Sequence, residues 1–109
     1  MRIEEPEPDL DALPPDVRAA AHVFENGEVA WPNDYASAAI EALAARGKRV
    51  LGLDARTLYP DGRVMEIPIS AWEEAPGSRG EQVKQCRAEA IEALPLAVSE
   101  GTHVLITWD

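Results

Sequence analysis

The sequence predicts an α+β fold, a two-layer α/β sandwich in which about three helices cover a three- or four-stranded mixed sheet with a central β-hairpin. Apolar residues recur at helical spacing in three segments. Two strand-like runs flank a proline-glycine turn within residues 49–70, and a β-branched and aromatic run occupies residues 102–108. A chain of 109 residues is most simply one domain with a modest core.

The start of the chain differs in composition from the rest. Residues 1–9 mix proline with glutamate and aspartate, which favours extended, solvated backbone. We therefore expect a flexible acidic arm at residues 1–9 and a single domain over residues 10–109. There is no apolar stretch for a secretory signal or a membrane span, and Cys86 is the one cysteine. These features predict a cytoplasmic protein.

A short first helix is predicted from Leu13 to Phe24, where apolar residues follow helical spacing. We expect Asn26 and Gly27 to end it, and this interpretation places His22 on the helix. Residues 28–31 then form a brief strand or an extended link, because the proline that follows them disfavours helix.

Asn33 is predicted to cap a second helix that ends at Gly47. The spacing of its apolar residues defines one buried side. That side consists of Ala36, Ala39, Ile40 and Leu43.

Residues 59–62, with the sequence YPDG, predict a tight turn between two strands. In the first strand, alternation puts Leu51, Leu53 and Ala55 on one face. It puts Val50, Gly52, Asp54 and Arg56 on the other. In the second strand, Pro68 has no N–H to donate, which predicts a free edge.

Ser78 and Glu81 have the spacing of a capping box that opens a third helix. Pro95 is expected to kink or end this helix. Residues 102–108 then form a strand, which we expect in the centre of the sheet and parallel to a neighbour. The inward positions of the third helix are predicted to be Val83, Cys86, Ala90 and Leu94.

The residue types do not assemble a recognisable active site. A nucleophile and base pair of Cys86 and His103 stays open, although a buried free cysteine is usually a small hydrophobic residue. No pair of histidines or cysteines has the spacing of metal ligands, and nothing in the sequence calls for a cofactor. We therefore predict no catalytic, cofactor or metal residues.

Asp54 is the least ordinary carboxylate, because it lies in the middle of an apolar strand. An unpaired carboxylate there loses hydration at a cost of several kcal/mol unless a charge compensates. Arg56 on the same face, or Arg63 across the hairpin, could supply that charge. Asp54 is then either a solvated or ion-paired structural residue, or a contact for a ligand or partner.

The net charge of −10 repels nucleic acid and anionic lipid and attracts basic partners. We therefore expect neither nucleic acid nor a membrane as partner. Trp72 beside Glu73 and Glu74 combines an aromatic anchor with acids, as protein interfaces do. Asp61 adds an acid at the hairpin tip.

Three short motifs occur in a specific order: a tryptophan before the second helix, VLGLD at residues 50–54, and Ala71-Trp72 after the hairpin. In this order, residues 28–108 resemble the immunity protein 40 family of bacterial polymorphic-toxin systems. The family patterns are I-L-G-G-D and N-W. This chain has Leu53 in place of the second glycine and Ala71 in place of the asparagine.

The resemblance implies a small cytoplasmic protein that binds and neutralises a toxin encoded beside it and performs no catalysis. A toxin that grips nucleic acid must be basic, so the acidic charge fits a nuclease target. The predicted partner-binding residues are Asp54, Asp61, Trp72, Glu73 and Glu74.

A second hypothesis is a small-molecule binding or enzymatic α/β domain that uses Asp54 and His103. A deep pocket lined by these two residues would favour it. An exposed acidic surface without such a pocket would favour the inhibitor.

Overall fold

The computed structural model describes residues 10–72 and 76–109. Within them the structure contains three helices and five strands, so the predicted α+β sandwich is confirmed. The helices are α1 (Pro15–Ala20), α2 (Asn33–Ala45) and α3 (Arg79–Glu100). The strands are β1 (His22–Val23), β2 (Val29–Pro32), β3 (Val50–Leu58), β4 (Val64–Ala71) and β5 (His103–Trp108). The predicted arm at residues 1–9 lies outside the described residues.

The five strands form one sheet in the order β1-β2-β5-β3-β4, and each neighbouring pair is antiparallel. The sheet therefore has five strands instead of the expected three or four, and it is antiparallel instead of mixed. The last strand is central, as predicted, but antiparallel to both neighbours. Helix α3 connects β4 to β5, and these two strands do run parallel. They are not neighbours, however, because β3 lies between them and is antiparallel to both.

The same arrangement occurs on the other side of the centre. Helix α2 connects β2 to β3, which run parallel with β5 between them. The two connections cross the sheet in opposite directions and start from strands that run in opposite directions. Crossovers of one hand, right-handed in about 98% of cases, therefore place both helices on the same face. Helices α2 and α3 pack against each other there.

The predicted first helix is too long. It ends at Ala20, and His22 lies in a strand instead. Asn26 and Gly27 form a hairpin turn between β1 and β2, with Gly27 N–H bonded to the Phe24 carbonyl at 3.0 Å and Gly27 at φ 87°. A three-residue hairpin loop with a left-handed glycine has this geometry. The same loop joins β3 to β4, where Gly62 has φ 89°, and the predicted turn there is confirmed.

Helix α2 buries all four predicted residues, but Asn33 does not cap it. Its side-chain amide donates instead to the carbonyls of Val98 and Gly101, at 3.1 and 2.7 Å. Packing against the end of α3 thus orients the amide toward these two carbonyls. Its Oδ1, the atom that a local cap would use, is buried without a hydrogen-bond partner in the described residues.

Helix α3 begins with the predicted cap, in which the Ser78 hydroxyl accepts a hydrogen bond from the Glu81 N–H at 3.3 Å. Pro95 does not end the helix, which continues to Glu100. Pro95 is on the exposed side, while Ala90 and Ala97 on either side of it are fully buried. Burial of the inner side therefore outweighs the loss of one backbone hydrogen bond.

The predicted faces of β3 are partly wrong because the register shifts. Val50 pairs with Trp108 and Gly52 with Thr107, so Leu51 is an extra residue opposite one peptide of β5. A bulge of this kind changes which face the following residues occupy. Val50 consequently joins Leu53 in the core instead of lying on the opposite face.

The core lies between the sheet and the helices. Trp31 is completely buried there, and its indole N–H donates to the Val17 carbonyl at 2.8 Å, which ties α1 to β2. The Trp108 ring packs 5.9 Å from that of Trp31, centroid to centroid. β4 is an edge strand, as Pro68 predicted.

Gly101 lets the end of α3 approach β3 closely. A Cβ atom at this position would lie 2.6 Å from the Arg56 carbonyl oxygen. The next residue, Thr102, donates its backbone N–H to that same oxygen at 2.9 Å. The close approach therefore fixes the backbone of Arg56.

We expect Gly101→Ala to lower the free energy of unfolding by about 1–3 kcal/mol, because the added methyl overpacks against fixed backbone. Gly80→Ala is the matched control, since a Cβ at Gly80 meets nothing within 4 Å. Because Gly80 lies inside α3, Gly80→Ala should leave the free energy of unfolding unchanged or raise it by up to about 1 kcal/mol. Urea unfolding followed by tryptophan fluorescence measures both. Equal effects of the two substitutions would contradict the close approach.

Candidate functional site

The candidate site is the face of the sheet opposite the helices, here called the open face. Cross-strand pairing places Ala30, Leu105 and Asp54 side by side on it, with Arg56 opposite His103 in the next row. Leu105 and Ala30 are buried, yet they lie outside the core cluster that the helices cover. The apolar residues of this face are therefore buried by other side chains of the same face and not by the helices.

Arg56 is the one charged residue buried among the described residues, with 6% of its surface exposed. Its Nη2 lies 3.2 Å from a carboxylate oxygen of Glu66 and 3.4 Å from one of Glu28. The guanidinium carbon is 5.1 Å from the centre of the Phe24 ring, within the range of a cation–π contact. Its Nε is buried and has no hydrogen-bond acceptor in the described part of the chain.

Asp54 adds a third carboxylate within electrostatic range of this guanidinium, beside the two that pair with it. Burial raises the pKa of the Asp54 carboxyl above its ordinary value of 3.8, and the negative charge of Glu66 raises it further. The positive charge of Arg56 acts in the opposite direction, but the net pKa is raised. Of the two predicted cation partners, Arg56 therefore faces Asp54, while Arg63 pairs with Asp61.

Two histidines lie beside this group. The rings of His22 and His103 are 6.4 Å apart, and His22 also contacts Phe24 at 4.7 Å, centroid to centroid. Burial lowers the pKa of His103 below 6.5, and His22 lowers it further. Nδ1 of His103 lies 2.8 Å from the Thr102 hydroxyl.

The possible pairing of Cys86 with His103 is wrong. Cys86 is buried on α3, on the helix side of the sheet. His103 lies on the open face, opposite Arg56. The sheet separates the two side chains, so they cannot act as a nucleophile and its base.

Cavities formed by described residues border the open face. One of about 320 Å³ lies between the first hairpin and the tip of the second, although β1 and β4 are at opposite ends of the strand order. The sheet must therefore curl strongly. The other, of about 350 Å³, lies between the Asn26 turn and β5. Neither has Asp54 or His103 in its lining.

The predicted partner-binding residues are spread over the molecule. Asp61 is exposed at the hairpin tip, where it accepts hydrogen bonds from the backbone and side chain of Arg63. Trp72 donates its indole N–H to the Val50 carbonyl at 2.8 Å and packs against the core. Glu73 and Glu74 lie outside the described residues.

Sequence reasoning missed Glu28, Glu66 and Phe24, which surround Arg56. The Asn26-Gly27 pair was the available signal, because Asn-Gly between two short apolar runs is a strong hairpin indicator. Recognising that hairpin would have brought Phe24 and Glu28 into the sheet. Their proximity to Arg56 depends on the curl of the sheet and had no local signal.

Comparison of the chain with protein families, with curated proteins and with solved structures finds no match. The resemblance to the immunity protein 40 family stays a prediction. In the described ranges, no helix is long and apolar enough to cross a bilayer. The same ranges contain no group of three or more histidine, cysteine or acidic side chains arranged to hold a metal ion.

We expect Asp54→Asn to stabilise the protein at pH 7 by about 0.5 kcal/mol, the scale of partly solvated charge interactions. A raised pKa in the folded state means that ionisation of Asp54 opposes folding. The contribution of protonated Asp54 to the free energy of unfolding is therefore fully present below pH 3.8, the ordinary pKa of the carboxyl group. It is lost as the pH rises through the higher pKa of the folded state. The gain from the substitution should vanish as the pH drops below that window.

Urea unfolding of wild type and Asp54→Asn at pH 3.5, 5 and 7 measures this effect. Glu92→Gln, on the exposed side of α3, controls for the change in net charge. A lower stability of Asp54→Asn at pH 7 would show that attraction to Arg56 dominates instead.

Proposed function

We propose that this protein is a non-enzymatic immunity protein that binds and neutralises a bacterial toxin domain through an acidic surface. The observation that carries the proposal is the open face, where two carboxylates pair with one buried guanidinium, Asp54 lies beside them, and none of the described helices covers the sheet. The order of motifs that resembles the immunity protein 40 family supports the same class of function.

The charge of the protein favours a basic partner. A net charge of −10 speeds the encounter with a positively charged domain and opposes binding to nucleic acid. A nuclease toxin needs a basic surface to hold the phosphate backbone. An acidic inhibitor competes directly for that surface, so a nuclease is the toxin class that the charge favours.

An interface of standard size covers about 800 Å² on each partner. The acidic residues proposed from the sequence, Asp61, Glu73 and Glu74, would contribute charge to such an interface. Asp54 lies on the open face, and its raised pKa indicates a carboxylate that a partner cation would stabilise.

The alternative is a small-molecule binding or enzymatic domain that uses Asp54 and His103. One observation favours it: both residues lie on the open face, and their pKa values are displaced in opposite directions. The two shifts bring the pKa values closer together, and pKa values displaced by burial are common at functional sites. However, the two cavities beside this face do not include either side chain in their lining.

Co-expression tests the proposed function. The C-terminal domain of the protein encoded by the upstream neighbour is expressed with and without this chain. We expect rescue of growth and a stable complex on gel filtration. Equal killing in both cases, with no complex, would exclude the immunity function. Substrate turnover that disappears in Asp54→Asn and His103→Gln would favour the enzymatic alternative.

Reversing the charge of Glu73 and Glu74 to lysine should slow association with the toxin domain about tenfold at low salt, because both acids contribute to electrostatic steering. The salt dependence of the association rate should also weaken. Stopped-flow fluorescence at 20 and 200 mM salt measures both effects. Unchanged kinetics would remove these two residues from the interface.

A further inference from the structure

The groove of about 320 Å³ between the two hairpins is lined mainly by apolar side chains. Val23 and Val64 line it and are 47% and 45% exposed. Leu58, Phe24 and the Tyr59 ring form more of its wall. Exposed apolar surface that forms a concave groove is typical of a binding site.

This groove is continuous with the carboxylates of the open face. Phe24 lines the groove and also lies under the guanidinium of Arg56. Arg56 in turn contacts Glu28 and Glu66. Phe24 therefore lies at the boundary between the apolar groove and the charged group of the open face.

The charges beside the groove are incompletely balanced. Asp54, Glu28 and Glu66 share the single positive charge of Arg56. Arg63, the other cation at the groove, is paired with Asp61 and stacks on Tyr59 at 4.9 Å. An additional positive charge would thus be attracted to the open face.

We propose that the groove and the adjoining open face form the docking site for a basic protein segment, in which an arginine or lysine lies next to an apolar side chain. The apolar side chain fills the groove between Val23 and Val64. The cation lies over Asp54, Glu28 and Glu66. This inference rests on the proposed function and gives the toxin's contact segment its chemistry.

A polypeptide fits this site better than a free metal cation. A peptide segment supplies both a cation for the carboxylates and an apolar side chain for the groove. A metal ion supplies only the positive charge.

The test uses two pairs of matched variants in the full chain. Glu66→Gln removes a charge from the open face, and Glu92→Gln removes one from the exposed side of α3. Val64→Asn removes apolar surface from the groove, and Leu96→Asn does so on α3, where Leu96 is 54% exposed. Thermal melting first establishes that all four variants fold.

Binding to the neighbouring toxin domain is measured by calorimetry. We expect Glu66→Gln and Val64→Asn, the open-face variants, each to weaken binding at least about tenfold. The α3 variants Glu92→Gln and Leu96→Asn should each change it less than about twofold. If the toxin domain binds and the open-face variants retain wild-type affinity, the docking site is wrong while the immunity function stands.

A second measurement separates the docking site from the proposed function. The peptides acetyl-Arg-Leu-Arg-Leu-amide and acetyl-Glu-Leu-Glu-Leu-amide are titrated against labelled protein by NMR. We expect the basic peptide to shift amide signals of β1, β4 and the second hairpin turn, and to lose this effect in Val64→Asn and Glu66→Gln. Such shifts without toxin binding would keep the docking site and exclude the immunity function. Equal shifts from both peptides, or none, would overturn the docking site.

Discussion

The handedness of the two helical crossovers is the constraint on which the rest of the structure depends. Helices α2 and α3 each connect parallel strands across one intervening strand, and connections of the same hand bring both helices to one face. One side of the sheet thus acquires a core with Trp31 at its centre. The other side receives none of the helices in residues 10–72 and 76–109, and its apolar residues are buried by side chains of the sheet and its loops. The curl of the sheet and the long side chain of Arg56 provide that cover.

Burying a guanidinium is costly unless carboxylates and other partners compensate it. Glu28 and Glu66 provide this compensation, and Phe24 adds a cation–π contact. Asp54 adds a third negative charge beside these two, and burial, together with the charge of Glu66, raises its pKa. Residues that are unfavourable for stability but face an open surface are common where a protein binds something. The charged group of the open face therefore stabilises buried Arg56 and is also a candidate interface.

The features that sequence analysis predicted correctly are local ones. The buried side of α2, the cap at Ser78 and the turn at residues 59–62 each depend on residues within a few positions of one another. The errors occur where a local signal has two solutions. Asn26-Gly27 can end a helix or close a hairpin, and pairing of β2 with β5 selects the hairpin. Asn33 can cap α2 or bind the end of α3, and packing selects the second.

By itself, the sequence determined the α+β class, the central hairpin and the acidic charge, because periodicity, turn chemistry and composition do not depend on distant contacts. It also drew attention to Asp54, a carboxylate in an apolar strand. The tertiary structure decided which residues surround it. Arg56 lies in β3, Glu66 in β4 and Glu28 just before β2, and the bulge at Leu51 decides which face the start of β3 presents. The pair of Arg56 and Glu66 follows from the register of the predicted hairpin. The contacts of Arg56 with Glu28 and Phe24 join residues distant in the chain, so they depend on strand order and curl, and no short segment encodes them.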